Sequence, residues 1–235
     1  MTAPEPTPRF RHFHDQLDAL KQRLLDMSER AEALLDLAVE ALLTQDEAKA
    51  DAVIAGDRAI DDLEVQIEHG AIGLLALQQP MARDLRFIIS AIKVSSDLER
   101  VGDHAVNIAQ SAQRLSRMRA TTEITPDPEI EEMARRARQM LGDALSAFVR
   151  ADGALGRVVC KADDQVDALH DSLFRILVTH MMEDPRTISA AMELFLVSRN
   201  LERIAHLATN IGEDAVYLAE GKQIKHHLEE RGVGG

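Results

Sequence analysis

The chain is 235 residues long and carries 40 Asp and Glu against 27 Lys and Arg, a formal net charge of −13. That balance excludes the dense basic surface by which nucleic-acid binders displace counterions, and it argues against adsorption to anionic lipid. Hydrophobic residues make up 46% and aromatic ones 3%, with Ala, Leu, Glu, Asp and Arg dominant, so the expected fold is all-α with a sizeable core.

The chain reads in order as follows. Residues 1–10 are polar and Pro-rich and are read as a disordered tail, with no signal peptide. From about Asp15 the spacing Leu17, Leu20, Leu24, Met27, Ala31, Leu34, Ala38, Leu42 predicts a long amphipathic helix ending near Thr44. Asp46 is the predicted N-cap of a second helix, with Val53, Ile60, Leu63, Ile67 and Leu74 on its buried side. Gln78-Gln79-Pro80 stops it, and Pro80 is expected to open a third helix running to about Met118. Residues 120–128, with Thr-Thr and two prolines, read as a linker. The pattern then repeats, with helices from about Glu129 to Arg150, from Asp152 to about Met182, and from Pro185 to about Glu220, capped by Gly221. Residues 228–235 are read as a frayed tail. The expectation is two tandem three-helix bundles, 11–119 and 129–227, made by internal duplication. Cys160, the single cysteine, rules out a disulfide framework, fits a reducing cytoplasm and is read as a packed, inert thiol. Met181-Met182 is read as core, and His12, His14, His226 and His227 as surface residues. No apolar run approaches the roughly 20 residues of a membrane span, so contact with a membrane is expected only through protein partners.

The strongest internal signal is the return of Leu98-Glu99-Arg100-Val101-Gly102-Asp103 as Leu201-Glu202-Arg203-Ile204-Ala205-His206. Glu99 and Asp103 share one helical face, as do Glu202 and His206. The preceding helix of each repeat carries its own i, i+4 pair, Asp57 with Asp61 and Asp163 with Asp167. Asp61 and Glu99 each lie nineteen residues from Pro80, and Asp57 and Asp103 each lie twenty-three. Antiparallel neighbours folded about that hinge set the two pairs level. The same count about the Asp184–Pro185 junction levels Asp167 with Glu202 and Asp163 with His206. The acids also continue apolar rows begun by Leu85, Ile89 and Ile92, and by Ile188, Met192 and Phe195, as though placed where a core row was heading. Two readings follow. Either the acids are solvated or pair with Arg58, Arg100 and Arg203, or four side chains in each bundle converge on a cation. Oxygen donors suit Mg²⁺, Ca²⁺, Mn²⁺ or iron; His206 tilts the second set toward a transition metal, zinc included. No phosphate loop or nucleophile elbow is present in the sequence.

The tandem bundles, the run Gln79-Pro80-Met81-Ala82-Arg83-Asp84-Leu85-Arg86 and the two Glu-Arg-(Val/Ile) segments resemble the PhoU family over essentially the whole chain, from His12 to His226. The resemblance implies a non-enzymatic, cytoplasmic negative regulator of phosphate uptake and of the phosphate-starvation response. It implies action with the phosphate ABC transporter, through its ATPase subunit, and with a membrane sensor histidine kinase, commonly as a homodimer. The family's repeated (Glu/Asp)-x-x-x-Asp pattern, which binds iron or zinc clusters in some members, is matched by Asp57/Asp61, Glu99/Asp103 and Asp163/Asp167. Glu202/His206 departs from it. Two other classes stay open: a helical-bundle metal–carboxylate enzyme, whose usual Glu-x-x-His spacing is not found in these repeats, and a plain structural adaptor.

Overall fold

The computed structural model describes residues 8–118 and 128–224. Among these residues the chain is helical, with helices α1 (Pro8–Thr44), α2 (Glu47–Gly56), α3 (Arg58–Gln78), α4 (Ala82–Met118), α5 (Pro128–Arg150), α6 (Gly153–Glu183) and α7 (Ile188–Glu220). Helices α1 to α4 form one bundle and α5 to α7 the other. The expected linker, 120–128, lies outside the described residues except for Pro128, which opens α5, and the expected tail, 228–235, lies outside them altogether. Residues 8–10, assigned to the tail by composition, are already helical in α1.

The apolar spacing read from α1 is its core seam: Leu17, Leu20, Leu24, Met27, Ala31, Leu34, Ala38 and Leu42 are all buried. They pack against Val53, Ile60, Leu63, Ile67 and Leu74 and against the Val94–Ile108 row of α4 in one continuous core. The turns between the first two helices of each bundle are built alike. Gln45 and Ala151 adopt positive φ (53° and 51°), and the next residue's N–H reaches back five positions, from Asp46 to the Ala41 carbonyl (3.1 Å) and from Asp152 to that of Ala147 (2.8 Å). This left-handed ending satisfies helix carbonyls that would otherwise be orphaned. Asp46 then caps the amides of Ala48 and Lys49, and Asp152 that of Leu155.

Three expectations are corrected. The second helix is interrupted at Gly56–Asp57, where a Cβ on Gly56 would stand 2.8 Å from Leu34 Cδ1. Asp57 keeps a right-handed backbone (φ −59°, ψ −39°), so the break is a bend; Ala162 at the equivalent site leaves α6 unbroken. Pro80 does not open α4. Gln79 enters the left-handed region (φ 48°), as a residue before proline disfavours the right-handed helix, and α4 starts at Ala82. Pro185 instead begins a single 3₁₀ turn, Pro185–Thr187, before α7. Finally, Leu85, Ile89, Ile188 and Met192 are 36–45% exposed and Met182 is 80% exposed, so these residues are not core, whereas Ile92, Phe195 and Met181 pack against it. The core row of α4 is Phe87, Ile88, Ala91, Val94, Leu98, Val101, Ala105 and Ile108.

The two bundles meet along their last helices, α4 and α7. Helix α4 packs on α1 and α3 on one side and on α7 on the other, and α7 joins α5 and α6 to α4. Lys93 pairs with Asp214 (3.5 Å), His104 Nδ1 bonds Asn200 Oδ1 (2.9 Å) and Arg114 Nε donates to Glu193 (2.8 Å). The partners run in opposite order along the two helices, so α4 and α7 are antiparallel. Within the second bundle, α6 and α7 approach through glycine, since a Cβ on Gly156 would lie 2.6 Å from the Gly212 carbonyl oxygen.

Candidate metal centres

In the first bundle Asp57 stands at the bend between α2 and α3, Asp61 one turn into α3, and Glu99 and Asp103 on the facing surface of α4. The level register counted from Pro80 is present: a Cβ added to Gly102 would meet Asp57 Oδ1 at 2.5 Å. Gly102 thus leaves a cradle into which the carboxylate settles. Asp57 Oδ1 is buried there without a hydrogen-bond partner, a costly placement for a carboxylate oxygen. Burial, then the charges of Asp61 and Asp103, push the Asp57 carboxyl up to about 6. Burial, followed by Asp103, Glu64, Asp61 and Asp57, raises Glu99 to about 7. These shifts record four predicted acids close enough to repel one another. Asp61 and Asp103 are exposed, so the group is a surface ladder and not a water-excluded core site.

In the second bundle His206 Nδ1 lies 3.5 Å from Asp163 Oδ2, the pair that counting had set level. Burial raises the Asp163 carboxyl, with Asp167 and Glu202 adding to the rise and His206 opposing it. Thus Asp163 and His206 meet across the hairpin, and Asp167 and Glu202 stand near enough to act on Asp163 through their charge. Two of the three arginines named as alternative partners are engaged locally: Arg203 reaches its chain neighbour Glu202 (3.4 Å), and Arg100 turns to Asp97 (3.6 Å). The Cys160 thiol is pushed up to about 11 by burial and lies 3.8 Å from the Thr209 carbonyl, which makes it a poor nucleophile.

Two residues escaped the sequence reading. Glu64, three positions after Asp61, is charged and close enough to raise Glu99. His170, three after Asp167, occupies the equivalent place in the second bundle and bonds Ser198 (2.9 Å). Comparing the two repeats one turn further along would have found both.

Among the described residues no three His, Cys, Asp or Glu side chains stand close enough to enclose an ion in their present rotamers. The donor set still fits a cation. An orphaned carboxylate oxygen over a glycine cradle, and two carboxyls raised first by burial and then by neighbouring acids, are the features that a bound positive charge relieves.

Fold and ladders together define a class: a duplicated, all-helical scaffold whose central helix in each half presents acids against its hairpin neighbour. The PhoU domain model matches the chain twice, over residues 24–112 and 130–215. The phosphate-specific transport system accessory protein PhoU homolog of Aquifex aeolicus is 41% identical over 218 residues, 92% of this chain and 97% of that one. The crystal structure of PhoU from Pseudomonas aeruginosa superposes with a TM-score of 0.85 at 36% identity, over 89% of this chain and 100% of that one. That of the phosphate transport system regulatory protein PhoU from Streptococcus pneumoniae gives 0.82 at 29%, over 91% and 99%. The chain belongs to the PhoU family.

Proposed function

We propose that this protein is a cytoplasmic negative regulator of phosphate uptake and of the phosphate-starvation response, docking as a homodimer to the ATPase subunit of a phosphate ABC transporter and to a sensor histidine kinase. The observation that carries the reading is similarity along nearly the full length of proteins named as accessory to phosphate-specific transport. The physical character of the chain supports it. No described helix is long and apolar enough to cross a membrane, and the strong negative charge keeps the protein off anionic lipid while leaving it free to meet a protein surface.

Divalent ions form part of the proposal. Asp57, Asp61, Glu99 and Asp103 would hold one centre, and Asp163, Asp167, Glu202 and His206 the other. A bound ion supplies positive charge that cancels carboxylate repulsion; it would pin α3 to α4 and α6 to α7 and present a less acidic docking face. Outward-facing acids on a solvated ladder suit such a structural and recognition role better than oxidation chemistry, which needs a shielded pocket. A plain adaptor, in which the acids only solubilise, draws support from the local pairing of Glu202 with Arg203.

The test is deletion of the gene in its host with a phosphate-starvation promoter reporter. The reporter should switch on in high phosphate and be silenced again by the intact chain. A reporter that stays off in the deletion strain removes the regulatory role. Metal analysis of protein purified without chelator, beside Glu99→Ala and Glu202→Ala, separates the metal-bearing regulator from the plain adaptor.

A further inference from the structure

We infer that the outer face of the α3–α4 hairpin is a docking groove for an amphipathic helix of a partner protein, apolar at one end and rich in Lys and Arg at the other. The inference rests on the docking reading above and assigns that reading a surface and a partner chemistry.

The apolar end of the face lies at the hinge. On α4 the exposed Leu85 and Ile89 and the partly buried Ile92 follow one another at i, i+4 and i+7, one stripe of the helix. On α3, Ile72 is 51% exposed and Leu75 is partly buried. Leu75 and Leu85 each lie five residues from Pro80, and Ile72 and Ile89 lie eight and nine. The register that seats Asp57 beside Gly102 therefore sets these side chains level across the hairpin. Farther from the hinge both stripes turn acidic. Glu68, Glu64 and Asp61 continue the stripe of α3, and Glu99 and Asp103 that of α4. Asp103, Glu64, Asp61 and Asp57 all act on Glu99 through their charge, so this end is one negative field. Against Asp61, Asp62, Glu64 and Glu68 helix α3 carries the single basic residue Arg58, and Arg100 of α4 is turned to Asp97.

From Leu85 to Asp103 the face runs about 27 Å, the length of a helix of about 18 residues. A helix lying between two others is held by anchors at i, i+3, i+4 and i+7, the spacing that the exposed α4 residues themselves offer. Lys and Arg over the acidic end would steer the helix in and fix its direction. A second copy of the chain does not supply this complement, because two-fold pairing of the face with itself lays acids on acids or acids on the apolar strip. The second hairpin does not repeat the face. Arg199 stands where the first bundle has Ser96, and Arg175 follows the exposed Phe174, so both signs of charge border its apolar strip.

The test titrates the full-length protein with a synthetic helical peptide of about 18 residues, Leu-rich on one face of its first half and Lys-rich on the same face of its second. The titration is run in chelator, so that no divalent ion competes for the acids. Wild-type protein should bind this peptide, more weakly as salt is raised, and should not bind a scrambled peptide or one with Glu for Lys. Ile89→Ser and the double variant Glu64→Gln/Glu68→Gln should each weaken binding about tenfold, the scale of losing an interface anchor. Met192→Ser, at the position equivalent to Ile89 in the second hairpin, should leave it unchanged. Thermal melts show that each variant is folded. In the host, the Ile72→Ser/Ile89→Ser chain should fail to silence the starvation reporter. No binding by wild-type protein, equal binding of the Glu peptide, or unchanged affinity in the folded variants overturns the inference. Full silencing by the folded Ile72→Ser/Ile89→Ser chain also overturns it, while the regulatory reading stands. A wild-type dimer that dissociates on Ile89→Ser in sedimentation makes a second copy the occupant and overturns it too. A reporter that stays off in the deletion strain removes the regulatory reading separately.

Discussion

Gly102 and Asp57 hold the clearest residue-level link between sequence and site. Glycine in a helix interior costs roughly 1 kcal/mol relative to alanine, and here its missing Cβ is what lets the Asp57 carboxylate settle on α4. Gly102→Ala should therefore leave thermal stability nearly unchanged, because only the tips of Asp57 and of buried Ile60 must give way. Metal affinity at the first ladder should fall while the second is untouched, as calorimetric titration of each site would show. The raised carboxyls make a second prediction. Asp57 and Glu99 keep their protons to higher pH in the folded chain than in the unfolded one, so folding takes up protons between the ordinary carboxylate range and about 7. Their contribution must then turn against the fold as pH rises through that window. In chelator, Asp57→Asn and Glu99→Gln should raise the denaturation midpoint at pH 8 and lose the advantage near pH 4, checked by urea melts at both values. Saturating metal should abolish the gain by neutralising the repulsion in the wild-type chain.

Helices and turns were the most legible part of the chain. Leucine and alanine at heptad spacing in α1, the Asp46 and Asp152 caps and the Gly221 terminus with φ 72° are local signals, set by side chains within a turn or two. Counting residues from the hairpin hinges set Asp163 level with His206 and Asp57 against α4 beside Asp103, as the structure has them, because antiparallel helices convert sequence separation into height. What failed depended on neighbours. The bend at Gly56 comes from the approach of Leu34 on another helix, and the exposure of Leu85 and Ile89 depends on where α1 and α7 lie. Ala151 shows the same limit from another side: nothing in its side chain announces a left-handed residue, yet it sits at φ 51°. Ala151→Gly should stabilise by about 1 kcal/mol, since glycine takes that conformation without the Cβ clash. Gly156→Ala should do the opposite. Its Cβ would meet the backbone of α7 and not a yielding side chain. A net loss on the order of 1–3 kcal/mol is expected, the usual cost of overpacking, and denaturant titration of both variants checks the signs.

At the scale of the molecule the two repeats are joined along α4 and α7, with the Lys93–Asp214, His104–Asn200 and Arg114–Glu193 contacts crossing a seam in which Asp214 is buried. Because one continuous core runs through both bundles, they should unfold together. The chain has a single tyrosine, Tyr217 on α7, and no tryptophan. The urea midpoint from Tyr217 emission, which reports the second bundle, should coincide with that from far-UV circular dichroism, which reports both. The seam also places the two ladders on the paired central helices, so that the ions proposed for α4 and α7 would bear on one shared structural unit. The regulatory reading needs such a unit: a rigid body whose docking face alters when the cell's phosphate supply changes.

The most direct measurement of that reading is an affinity pull-down of the full chain from crosslinked cells of its host, grown in high and in low phosphate, with captured proteins identified by mass spectrometry. The expected result is a phosphate-transporter ATPase subunit or a sensor histidine kinase in the high-phosphate sample. That partner should be lost on starvation and reduced in Glu99→Ala and Glu202→Ala chains. Capture of neither partner in either condition would contradict the docking role and leave the ladders as sites without a regulatory purpose.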